Sequence, residues 1–212
     1  MQKNTIAFVF PGQGSQKVGM LAAAYEEFQA VRDTFEEASQ VLDYDMWALI
    51  QEGPQEALNL TETTQPVLLT SSVALWRAWL EQGGISPSVM AGHSLGEFSA
   101  LVCAGALQFA DAVQLVRQRG EFMQSAVPVG EGAMAAIIGV DDEQINTICA
   151  EISSSASGVV AAVNFNSPDL PSGSPVAFGN NLAATAGQAA LPTSIAPFTW
   201  LVTLSPCRCW RR

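Results

Sequence analysis

One histidine, His93, is all that the 212 residues offer. Basic residues are scarce too: nine Lys and Arg face twenty Asp and Glu, for a net charge of -11. That balance repels a polyanion and excludes nucleic acid as a partner. Long apolar runs are missing, and none approaches the roughly 20 residues of a membrane span. The opening "MQKNTIAFVFPGQG" has only a short apolar segment before Pro11. It reads as a first strand rather than a signal peptide, so a cytoplasmic location is expected. Cysteine is limited to Cys103, Cys149, Cys207 and Cys209. The first two fall in helical patterns as small buried hydrophobes, and the last pair lacks a second ligand pair. Neither a disulfide framework nor a metal site is expected. Charge is absent between Leu170 and Cys207.

What is present suffices for one good-sized core with room for a small second lobe, since 49% of the residues are hydrophobic. Residues 5–10, "TIAFVF", read as a buried strand, "PGQGSQKVG" as a Gly-rich loop, and "MLAAAYEEFQAVRDTFEEASQVL" as one helix. This order predicts α/β architecture. "TTQPVLLTSSVALWRAWLEQGG" is a second helix, with Pro66 suited to its first turn and Gly83-Gly84 at its end. "SVMAGHS" is a strand running into a turn, followed by the helices "LGEFSALVCAGAL" and "DAVQLVRQRGEFMQSAV". A break from Pro128 to Gly132 leads to strand "GAMAAIIGV", helix "DDEQINTICAEI" with Asp141 as N-cap, and strand "GVVAAVNFNSP". That unit matches the first half of a ferredoxin-like lobe. Beyond it, no sustained period of 3.6 or 2 is visible.

Gly92-His93-Ser94-Leu95-Gly96 is the pattern of a serine nucleophile on a tight turn between strand and helix. There the Leu95 N–H would face an oxyanion at a helix N-terminus. A purely structural turn is the competing reading. His93 directly precedes Ser94, and neighbours on a sharp turn point apart. It is therefore expected to pack beneath the turn rather than act as general base. The loop Pro11-Gly12-Gln13-Gly14-Ser15-Gln16 is neither a Walker loop nor a Rossmann fingerprint. It can lend a backbone N–H to a neighbouring site, or be structural. Arg119 falls on a helix face with Ala112, Leu115, Val116, Phe122, Met123 and Ala126, whereas Arg117 does not. A guanidinium there needs an anion. Either Glu97 supplies an internal salt bridge or the fork binds a substrate carboxylate.

Taken together, "FVFPGQGSQKVGM", "TQPVLL", "AGHSLGEFSALVCAGAL", "VRQRGEFMQ", "GAMAAIIG" and "VNFNSP" resemble the malonyl-CoA:acyl carrier protein transacylases of fatty acid synthesis. The resemblance covers residues 5–168 in the family's order. It implies that Ser94 takes the malonyl group from coenzyme A as an ester. Gln13 and Leu95 are implied as oxyanion-hole donors and Arg119 as the holder of the malonyl carboxylate. It implies an α/β-hydrolase-like large subdomain with an inserted ferredoxin-like small one. Malonyl-CoA is implied as substrate and acyl carrier protein as partner, with no metal or other cofactor, in a monomer. Residues 1–127 would belong to the large subdomain and 128–168 to the first half of the small one. After Pro168 the family's Pro-Ser-His stretch, whose histidine is the base, does not appear. Residues 169–212 are therefore expected to be an out-of-frame tail, the family fold is expected to be incomplete at the C-terminus, and activity is expected to be impaired. A Gly-x-Ser-x-Gly esterase or thioesterase, which has no use for Arg119, and an inactive fragment are the alternatives.

Overall fold

A computed structural model describes residues 6–126, 132–137, 140–155, 159–163 and 180–185. They fall into two units, one up to Met123 and one from Gln124 on.

The first unit begins with β1 (Ala7–Phe10), which pairs in parallel with β2 (Val89–Gly92), Ala7 opposite Val89 and Phe10 opposite Gly92. Parallel neighbours need a long crossover. Here it consists of α1 (Ala22–Glu27), α2 (Gln29–Leu42), α3 (Met46–Glu52), α4 (Gln55–Leu58) and α5 (Thr61–Glu81). The helix expected over residues 20–42 is therefore two. Phe28 is extended at φ -109° and ψ 125°. Arg32 reaches back from α2 to the carbonyls of Tyr25 and Glu26, satisfying acceptors that α1 leaves open at its end. The short helices α3 and α4 were not assigned from sequence. Asp45 caps the first by accepting from the Ala48 N–H at 2.9 Å.

The helix α5 starts earlier than its sequence pattern suggested, because the N–H groups of Thr63 and Thr64 bond the Leu60 carbonyl and the Thr64 hydroxyl bonds that of Leu58. Pro66 consequently falls in the second turn, not the first. The helix ends as expected at Gly83-Gly84, whose N–H groups return to the carbonyls of Leu80 and Trp79. After β2 come α6 (Leu95–Cys103) and α7 (Phe109–Ala126).

The core lies among these helices. Phe35, Met46, Ile50, Leu58, Leu69, Leu95, Val113 and Val116 are essentially inaccessible. Each such side chain contributes roughly 1.5–3 kcal/mol by leaving water. Tyr25 stacks on Trp47 with ring centres 3.7 Å apart, and Phe35 meets Trp47 edge-on. The buried stripe of α7 is Phe109, Ala112, Val113, Val116 and Gly120. Leu115 and Phe122, assigned to that face from sequence, are exposed, and Arg119 sits at the stripe's half-buried edge.

The second unit holds β3 (Gly132–Ile137), α8 (Asp142–Ser155), β4 (Val159–Val163) and β5 (Asn180–Thr185). Asp141 caps α8, accepting from the Gln144 N–H at 2.8 Å, as expected. The sheet order is β3-β5-β4, with β5 antiparallel to both neighbours. β3 and β4 are thus a parallel pair split by a third strand. The strand β5 lies inside the segment expected to be an aperiodic tail. Its sequence, "NNLAAT", has weak strand propensity, and pairing on both sides overrides it. The rest of residues 169–212, with Cys207 and Cys209, lies outside the described residues. No helix among the described residues is long and apolar enough to cross a membrane, and none of their side chains form a group of three or more metal-ligand types.

Candidate active site

The parallel pair β1-β2 delivers its chain into a sharp turn at Ser94. This residue adopts φ 52° and ψ -107°, a conformation that side chains rarely take. The flanking glycines explain how the turn is tolerated. A β-carbon on Gly92 would lie 1.9 Å from the Gly96 carbonyl carbon, and one on Gly96 would lie 2.2 Å from the Phe10 oxygen. Only hydrogen fits at either position, so the turn packs directly onto the end of β1. The turn closes through Gly96 N–H to His93 oxygen at 2.9 Å and Glu97 N–H to Ser94 oxygen at 3.2 Å.

The Ser94 hydroxyl accepts from the Arg119 Nη2 at 3.0 Å. The same guanidinium donates through Nη1 to Gln65 Oε1 at 2.6 Å and lies over the Phe98 ring, 5.7 Å from its centre. Three helices thus meet at one cation. Burial lowers the pKa of Arg119, and Glu97 opposes the shift. An arginine stays charged through such a shift. Glu97 is in turn raised by burial, with Arg119 pulling it down. Of the two readings of Arg119, the direct salt bridge is not made: its hydrogen bonds go to Gln65 and Ser94, while Glu97 acts through its charge.

Leu95 opens α6 and is fully buried, while Gln13 lies exposed in the Gly-rich loop. Among the described residues, neither backbone N–H has an acceptor. Both are free to serve an oxyanion. The loop runs along the turn, since a β-carbon on Gly12 would lie 3.1 Å from the His93 oxygen and 3.4 Å from its Nδ1. The His93 ring lies against Gly12, and the Ser94 hydroxyl is bonded to Arg119. On α6, burial pushes the Cys103 thiol up to about 12, with Arg77 opposing, which favours the protonated form.

Two contributions escaped the sequence reading. Gln65 belongs to the segment "TQPVLL", whose spacing does not mark it as a partner of Arg119. Asn59 Oδ1 accepts from Gln16 Nε2 and from Gln55 Nε2, both at 3.0 Å. Gln16 Oε1 receives the Gly14 N–H at 2.9 Å, and Gln55 Oε1 receives that of Val18 at 3.0 Å. The later part of the loop carrying Gln13 is thereby tied to both ends of α4, through Gln55 and the C-cap Asn59.

Comparison with known proteins places this geometry in context. The acyl transferase domain model matches residues 7–169. The malonyl CoA-acyl carrier protein transacylase of Salmonella typhimurium is 64% identical over 163 residues, covering 76% of this chain and 52% of that protein. The chain therefore spans about half the length of the curated relatives it matches. The solved structure of the transacylase from Coxiella burnetii superposes with a TM-score of 0.77 at 51% identity, over 86% of this chain and 54% of that one. A malonyl-transacylase in complex with its type II PKS acyl-carrier protein superposes with a TM-score of 0.75 at 54% identity, over 85% and 55%.

Proposed function

Because the chain belongs to the acyl transferase domain family, we propose that it accepts a malonyl group from malonyl-CoA on Ser94 for transfer to the pantetheine thiol of acyl carrier protein. The observation that carries this reading is Arg119 on the Ser94 hydroxyl at 3.0 Å. A fork so close to a nucleophile is suited to an acyl group that ends in a carboxylate. An esterase would have no use for a cation held there.

In the proposed reaction the Ser94 oxygen attacks the thioester carbonyl, and its proton passes to a base. The tetrahedral oxyanion is held by the N–H groups of Gln13 and Leu95, and coenzyme A leaves as its thiol. The carrier-protein thiol then attacks the malonyl-serine ester and frees Ser94. No metal or further cofactor enters this scheme. Carrier protein as acceptor is supported by the complex formed by the structural neighbour. A cytoplasmic setting fits the pathway named by the resemblance. The split β-α-β of the second unit supports a ferredoxin-like lobe, and the parallel β1-β2 pair supports an α/β-hydrolase-like first unit that carries the nucleophile.

The base is the open step. His93, the only histidine here, lies against Gly12. The 212-residue polypeptide by itself is therefore slow: loss of the base in such a site costs about 10⁴- to 10⁶-fold in rate. Incubation with malonyl-CoA, followed by intact-mass measurement, tests the reading. Slow gain of one malonyl group on Ser94 is expected, faster with added imidazole as a surrogate base, and lost in S94A. Labelling that survives S94A, or rapid hydrolysis of the ester by water, would overturn it.

A further inference from the structure

We propose that Gln65 sets the acyl specificity of the site: its amide oxygen fixes the Arg119 guanidinium in place while leaving its charge free for a substrate carboxylate. The proposal rests on the reading of Arg119 given above.

Gln65 is fully buried within α5. A buried amide needs partners on both its ends. Its oxygen accepts from Arg119 Nη1 at 2.6 Å, and its nitrogen donates to the Met123 sulfur at 3.2 Å. The guanidinium has donors only, so the oxygen must be the end that faces it. Arg119 and Met123 lie one turn apart on α7, and one amide bridges both. Gly120, between them, makes the approach possible. A β-carbon there would lie 2.6 Å from Glu62 Cα and 2.7 Å from the Thr61 oxygen. Backbone meets backbone at that level, which brings Arg119 within reach of Gln65.

The choice of amide over acid gives the residue its meaning. A carboxylate one hydrogen bond from Arg119 would form a buried ion pair. The fork would be neutralised before any substrate arrived, and a substrate carboxylate would have to displace a built-in one. The amide holds the same geometry without net charge. Gln65 and Ser94 each take one guanidinium N–H, and the remaining donors stay available for bidentate binding. Gln65 is thus a positioning residue that acts through Arg119.

Equilibrium binding of malonyl-CoA and acetyl-CoA to the full chain, by isothermal titration calorimetry, tests this without turnover. The unsubstituted chain should bind malonyl-CoA more tightly. Gln65→Glu should weaken malonyl-CoA by about tenfold or more and change acetyl-CoA by less than about twofold. Gln65→Met keeps the size but loses the acceptor, and should weaken malonyl-CoA by about threefold. It decides the matter if Gln65→Glu does not fold, as checked by circular dichroism. Variants that keep the parent's malonyl-to-acetyl ratio overturn this inference and leave the functional reading standing. A parent chain with no preference for malonyl-CoA overturns the reading of Arg119, and the inference falls with it.

Discussion

Ser94 holds a backbone conformation that costs roughly 1–3 kcal/mol, and the close packing of Gly92 on Gly96 and of Gly96 on the end of β1 keeps it there. Glu97 adds a second local cost. Burial raises its pKa above the usual 4.5, and Arg119 offsets this only in part. The native state therefore binds that proton more tightly than the unfolded chain does. Its contribution to stability is complete below 4.5 and is lost as pH rises through the folded value. Glu97→Gln is neutral throughout. Its stability relative to the parent, from urea denaturation, should grow as pH rises above 4.5 and through the raised folded-state value. A difference that stays flat or shrinks over that range contradicts the assignment.

Among the elements, the Gly-rich loop depends on α4. Asn59 receives both glutamines through one oxygen, so the acceptor matters and the amide nitrogen does not. Asn59→Ala should speed amide hydrogen exchange in residues 11–18 by about tenfold, roughly the loss of one or two net hydrogen bonds. Asn59→Asp, which keeps the acceptor, should not, and equal exchange in the two variants would refute the tie. That α4 escaped the sequence reading has a physical cause. Helices of seven and four residues are too short to display a 3.6-residue period. The strands β1 and β2, the long helix α5 and the cap of α8 were legible, because their signals are local. The break at Phe28 was not, since apolar spacing continues across it while the backbone does not. On α7 the periodicity found the helix but took Leu115 and Phe122 for its buried face. Gly120, which packs closest of all, has no side chain to announce itself. In the site, Ser94 and Arg119 could be read from motif and spacing. Gln65 and Asn59 act through partners 54 and 43 residues away, and separations of that size leave no mark on a sequence.

At the scale of the molecule, no described residue covers one face of the β1-β2 pair. Phe8 turns inward onto Trp76 and Trp79, whereas Val9 is 69% exposed and Val89 40%. Parallel sheets are ordinarily covered on both faces. We expect this surface to drive self-association, against the monomer anticipated from sequence. Light scattering should show an apparent mass that climbs with concentration, and Val9→Lys should suppress the climb. A mass that holds constant in the parent would argue that the face is harmless. The groups proposed to recognise the acyl group are gathered elsewhere in the same unit. Gln65 and Ser94 both accept hydrogen bonds from Arg119 within it. Selection of the acyl group and the speed of its onward passage are therefore separable properties. A lesion that silences turnover can leave selection intact. On the proposed reading, such a molecule would not be merely idle: it would be a decoy that sorts acyl groups without handing them on.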